Sequence, residues 1–206
     1  MALDQTIRDV SRTLLDLLKT NMSDVAIDLL SPRFPGANRL TLFLYKVLEN
    51  PHLKNAGDTT LTTTPDGKVI EKRKPLTLDL YYLLSAHSRD ANLLEAHTAL
   101  SRAMRVFYDN GILQGSLLRN DADPIAGTPS RGLTKDSVLR ITLNPISMED
   151  MNRIWGVFPD TPYEISVTYL VTPVEIESAR TQDSAPVVDQ FHEHGQLGAE
   201  LVSAGS

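Results

Sequence analysis

The chain has no cysteine, so disulfides, thiolate nucleophiles and thiolate metal sites are all excluded. It has one tryptophan and an aromatic share of 6%, so any aromatic cluster must draw on few residues. Positive charge is also scarce: 20 Lys and Arg stand against 26 Asp and Glu, a formal net charge of −6. Nucleic-acid and anionic-membrane binders need cationic surface to displace counterions, so neither partner is expected and protein partners are. No apolar run approaches the roughly 20 residues of a membrane span, and the start lacks a basic region followed by an apolar one. A soluble chain without a cleaved secretory signal is the expectation. What is present, 206 residues of which 41% are hydrophobic, is enough to bury the core of one domain.

The apolar pattern alternates between helix and strand. Leu3, Ile7, Val10, Leu14 and Leu17 follow the four-three spacing of one helical stripe, with Arg8, Asp9, Arg12, Asp16 and Lys19 on the opposite face. Val25, Ile27 and Leu29 read as a short strand ending before Ser31-Pro32. Leu40 to Leu48 is apolar on both faces, as in a covered strand, and Asn50-Pro51 ends it. Thr59 to Thr64, Pro65-Asp66-Gly67 and Lys68 to Lys74 form a projecting hairpin. The cleanest strand is Pro75 to Leu84: Leu76, Leu78, Leu80, Tyr82 and Leu84 share one face, and Thr77, Asp79, Tyr81 and Leu83 the other. A second helix is predicted over Ala91 to Tyr108 on Leu93, Ala96, Leu100, Ala103 and Phe107, with Asn110-Gly111 as a left-handed stop. Asn120 to Leu133 reads as a loop and Val138 to Leu143 as a strand. Ser147-x-x-Asp150 caps a short helix through Trp155, which Gly156 ends, and Tyr163 to Val171 is a last strand that Pro173 ends or bends at an edge.

These elements predict an α+β domain over residues 1–177: a mixed, largely antiparallel sheet, two main helices packed on it, and the hairpin. Residues 178–206 are poor in apolar side chains and read as a flexible, disordered acidic tail.

Catalytic and ligand motifs fail on inspection. Asp66-Gly67-Lys68 lacks the glycines and following helix of a phosphate loop, and Gly115-Ser116 is followed by Leu117-Leu118, unlike a nucleophile elbow. His52, His87 and His97 have no partner at metal-ligand spacing, and His192 and His194 lie in the tail with nothing to orient them. Asp121 and Asp123 open like a calcium loop, but Pro124 and Ile125 interrupt it. No metal, cofactor or catalytic residue is assigned. The basic cluster Lys68, Lys72, Arg73 and Lys74 either meets an acidic partner surface or keeps an exposed edge soluble. Tyr81 and Leu83, opposite the leucine face, belong to a side covered by a second layer or by a neighbour. These six residues are the candidate assembly surface.

Four phrases in order carry a family resemblance: Leu44-Tyr45-Lys46-Val47-Leu48-Glu49-Asn50-Pro51-His52-Leu53-Lys54-Asn55, Pro75 through Ala86, Ser147-Met148-Glu149-Asp150-Met151-Asn152-Arg153-Ile154-Trp155, and Pro162-Tyr163-Glu164-Ile165-Ser166-Val167-Thr168-Tyr169. Together they resemble the cap, or tail-terminator, proteins of phage-tail-like contractile injection systems. The resemblance spans about Leu3 to Glu177. It implies a homo-oligomeric plug, a hexameric ring, that seats on the distal end of the inner tube, halts polymerisation and contacts the last sheath ring. It also implies assembly in the cytoplasm, a place in a particle released from the cell, and no enzymatic turnover. Longer members carry a further C-terminal region where this chain has the acidic segment. Two other readings stay open: a baseplate or adaptor subunit of the same kind of particle, and a small enzyme using Asp79, Tyr81, His87 and Asp90 near the end of the cleanest strand.

Overall fold

The computed structural model describes residues 5–37, 39–54, 59–63, 69–88, 93–119, 132–134, 136–178 and 181–183. The amphipathic N-terminal segment forms α1 (Thr6–Asn21), followed by the short strand β1 (Ile27–Asp28) and the long strand β2 (Leu40–Glu49). A single turn, α2 (Pro51–Lys54), leads to the hairpin strands β3 (Thr59–Thr63) and β4 (Val69–Arg73), then to β5 (Leu76–Ala86) and α3 (Leu93–Asp109). The chain closes with β6 (Ile112–Gln114), β7 (Val138–Leu143), α4 (Met148–Trp155), β8 (Ser166–Ile176) and β9 (Thr181–Asp183).

Six strands form the main sheet in the order β1-β2-β5-β8-β7-β6. Among the described strand pairs of this sheet, β1–β2 alone is parallel, so the sheet is mixed and largely antiparallel, as the sequence predicts. The hairpin pairs in register from Thr59↔Arg73 to Thr63↔Val69, and its expected turn lies outside the described residues. β9, three residues within the segment expected to form the tail, adds a third strand along β4.

The period-two pattern of β5 explains its central place. Leu78, Leu80, Tyr82 and Leu84 are buried on one face with Val10, Leu14 and Leu18 of α1 and Ala96, Leu100, Ala103 and Phe107 of α3. Burying each such leucine contributes about 1.5–3 kcal/mol. Two polar side chains inside this layer are paired: Tyr82 Oη lies 2.8 Å from Ser11 Oγ, and Thr13 Oγ1 donates to Asp9 O at 2.7 Å and accepts from the Arg119 N–H at 2.9 Å.

Four local expectations change. Asp9, assigned to the polar face of α1, is buried, because the helix turns Thr6, Asp9 and Thr13 inward together with Val10 and Leu14. Leu93 is 57% exposed, since α3 begins there and its first turn overhangs the core. Gly111 does not take the left-handed conformation; only Gly36 and Gly115 do among the described glycines. The end of α3 is instead closed by Asn110, whose N–H and side-chain amide both donate to Val106 O, at 3.1 and 2.9 Å. Finally, β8 runs through Pro173 in the sheet interior, where proline is normally excluded. It is accommodated because the β5–β8 register shifts between Leu78 and Leu80 and the β7 ladder stops at Thr172.

Candidate assembly surface

Opposite the helices, the second face of the sheet is covered over part of its length. Ser147 caps α4 as its sequence predicts: Ser147 Oγ accepts from the Asp150 N–H at 3.1 Å and donates to Asp150 Oδ2 at 2.8 Å. Arg153 pairs with Glu149 on the solvent side at 2.6 Å. That leaves Met151 and Trp155 to bury against Leu83, with Phe43, Ile146, Ile154 and Phe158 packed around them. Trp155 makes edge-to-face contacts with Phe158 and Tyr163, centroids 6.1 and 5.4 Å apart. Leu83 therefore meets α4 of its own chain and is fully buried, so it presents nothing to a neighbour. Tyr81 stands at the margin of this cover, half-buried, its ring 6.2 Å from that of Tyr45 and 4.9 Å below Lys46 Nζ.

Past Tyr81 the same face turns polar. Asp79, almost buried, accepts hydrogen bonds from Asn50 Nδ2 at 2.9 Å and from Thr172 Oγ1. Asn50 Oδ1 in turn accepts from the N–H groups of His52 and Leu53, both at 3.0 Å, capping α2. The Asn-Pro that ends β2 is thus also the tie that fastens the strand end to β5 and β8. Sequence reasoning placed Asn50 at a strand exit and missed Asp79 as its partner. The available signal was a carboxylate inside an otherwise apolar alternating strand.

The basic cluster divides. Lys68 lies outside the described residues, and of Lys72 the backbone pairing with Thr60 and Thr181 is described. Arg73 and Lys74 line a cleft of about 350 Å³ between the two sheets, together with Leu53, Leu76 and Ile176. Leu53 and Leu76 are exposed on its rim, and the neighbouring end of β2 exposes Val47 and Leu48. β1 pairs with β2 only at Leu40 and Thr41, so among the described residues no strand occupies the outer edge of β2 from Leu42 to Glu49. The four predicted residues whose side chains are described therefore do not form one patch. Arg73 and Lys74 share a cleft, Tyr81 lies on the second sheet face, and Leu83 is internal.

The residues of the enzyme reading are not gathered either. Asp79 lies in the first half of β5 and His87 just past its end, on the order of 26 Å apart along an extended chain, and Asp90 lies outside the described residues. His87 is buried, with Nε2 2.8 Å from Thr41 Oγ1. Desolvation pulls its pKa from 6.5 down to about 4, because charging the ring there would leave it without water. The unfolded chain consequently binds a proton between those two values that the folded chain does not. Stability from this site is complete above pH 6.5 and is lost as pH falls toward 4. Urea midpoints should fall between about pH 7 and pH 4.5, with a slope of at most about 1.4 kcal/mol per pH unit from this group. His87→Gln, which keeps a polar atom near Thr41 but does not titrate, should show the shallower dependence; equal slopes would refute the assignment.

Residues 9–190 match the Pvc16 N-terminal domain family. The chain belongs to that family. The fold of this Pvc16 N-terminal domain is shared with two solved structures. One is the PVC sheath/tube terminator of an extracellular contractile injection system in its extended state, 20% identical over 99% of this chain with a TM-score of 0.59. The other is the anti-feeding prophage cap, a tube-terminating cap, 16% identical over 90% of this chain with a TM-score of 0.61. The chain spans 66% and 60% of those two chains. No curated protein matches it.

Proposed function

We propose that the chain is a structural cap of a contractile injection particle, one that ends growth of the inner tube and its sheath. The observation that carries this reading is the fold likeness, over nearly the whole chain, to two proteins described as a sheath/tube terminator and a tube-terminating cap. The surface is consistent with an assembly role. Among the described residues no strand pairs with the outer edge of β2 beyond Thr41, and the aliphatic side chains Val47, Leu48, Leu53 and Leu76 are exposed beside the cleft.

The partners in this reading are the inner tube protein, the sheath protein and further copies of the chain, six in a ring. Ring closure requires a head-to-tail contact between two different patches of each subunit. Residues 1–177 act as the cap domain and 178–206 as an extension from it. The role calls for no substrate turnover. The cap assembles in the cytoplasm and leaves the cell as part of the particle.

Deleting the gene from a particle-producing strain should broaden the length distribution of tubes in negative-stain electron micrographs, and the restored gene should narrow it again. Uniform lengths in the deletion strain would sink the proposal. Density for the chain at the baseplate end of the particle would replace it with the baseplate or adaptor reading.

A further inference from the structure

We infer that the cleft between the two sheets receives the acidic C-terminal segment, residues 184–206, of a neighbouring copy. This deepens the oligomeric cap reading and rests on it for the presence of a neighbour.

The cleft has the chemistry of a peptide site. Leu53, Leu76 and Ile176 provide apolar wall, and the charged lining is Lys54, Arg73 and Lys74 with Glu49 and Glu177. Of these cations, Lys54 is held by Glu49 at 2.9 Å. Arg73 is exposed and has no ion-pair partner among the described residues. An occupant that combines aliphatic and acidic side chains in one short stretch would satisfy both surfaces at once.

Residues 184–206 have that composition. They contain Val187, Val188, Phe191, Leu197, Leu201 and Val202, the acids Asp189, Glu193 and Glu200, and no lysine or arginine. The direction of the chain argues for delivery to another copy. β4 runs toward the cleft and ends at Arg73, and β9 lies antiparallel to it, with Thr181 opposite Lys72 and Asp183 opposite Ile70. The chain therefore leaves Asp183 heading away from its own cleft, toward the tip of the hairpin. The 23 residues beyond it reach up to roughly 75 Å when extended, enough to cross to an adjacent subunit. Such an exchange is head-to-tail by construction: each copy gives a segment and offers a cleft, and the two patches differ.

Charge reversal in the full chain tests this. Arg73→Glu with Lys74→Glu forms one variant, Asp189→Lys with Glu193→Lys and Glu200→Lys a second, and the combination a third. Their self-association is followed by sedimentation velocity at low salt, with circular dichroism confirming that each is folded. Each separate variant should weaken association at least about tenfold, and the combination should recover most of that loss. The wild-type association should also fall as salt is raised.

Association unchanged in both separate variants overturns the inference while leaving the cap reading intact, because tube length in the deletion strain tests that reading independently. Loss in the cleft variant but not in the segment variant gives the cleft a different occupant and likewise overturns it. So does a wild-type chain that stays monomeric at every concentration. Protection of the Arg73–Thr77 amides from hydrogen exchange that depends on the segment in dilute monomer would mean docking within one chain, and would overturn the exchange between copies.

Discussion

Trp155→Ala should release α4 from the sheet and cost about 3–5 kcal/mol, the range for removing a large buried aromatic. Among the described residues, Leu83, Met151 and Trp155 are the buried members of a small cluster separate from the main core. The loss should be partly local. A helix of eight residues has too little intrinsic stability to persist without its docking surface, whereas the helices on the other face keep their own contacts. Hydrogen exchange should then show lost protection over residues 148–155 with β5 and β8 retained.

Trp155→Phe should cost much less. It keeps most of the ring, and it removes an indole N–H that is buried without a hydrogen-bond partner among the described residues, a group whose desolvation counts against the native state. Because Trp155 is the only tryptophan, its emission reports docking directly, and Leu83→Ala should shift it to the red before global unfolding. Emission unchanged by Leu83→Ala would show that α4 is held by something other than this contact.

Phe107→Ala should destabilise the protein by a similar amount, about 3–5 kcal/mol, read as a lower urea midpoint at unchanged slope. Here the loss is global. Phe107 is 1% exposed and packs edge-to-face on Tyr169 of β8 at 4.9 Å, joining α3 to an inner strand of the sheet. Its neighbour Tyr108 is 88% exposed, and Tyr108→Ala should change stability by no more than about 0.5 kcal/mol. The pair separates burial from mere position on the helix. Equal effects of the two substitutions would contradict the described orientation of α3.

The elements most legible in the sequence were those whose side chains repeat with a clean period. β5 alternates strictly, and the structure places it between β2 and β8 with both faces used. The stripe Ala96, Leu100, Ala103 and Phe107 sits at the core as spaced, and the Ser147 cap fixes α4 through local chemistry alone. What was hidden depends on contacts distant in sequence. Asp9 is drawn inward by the packing of α1, which a charge pattern cannot report. β6 is three residues long and exists because β7 offers it an edge, so no period could signal it. Pro173 looked like a strand end because proline lacks an N–H; the bulge that removes the need for one is a property of the partner strands. The cleft was half visible, as a run of basic residues, but Leu53, Leu76 and Ile176 come from three separate segments that only the fold unites.

The strand order carries a consequence for biosynthesis. β8 is inserted between β5 and β7, and it pairs Leu84 with Val167 and Leu76 with Ile176. An inner strand of the sheet is therefore made after all the other described strands of that sheet. Until residue 176 has been translated, β5 and β7 have no ladder between them and the apolar face that α1 and α3 cover is incomplete. Closing loops of this length before the reward of pairing makes folding slow relative to a protein of local contacts. The nascent chain must hold its open strands apart until β8 has emerged, so no subunit can enter assembly before that strand is made.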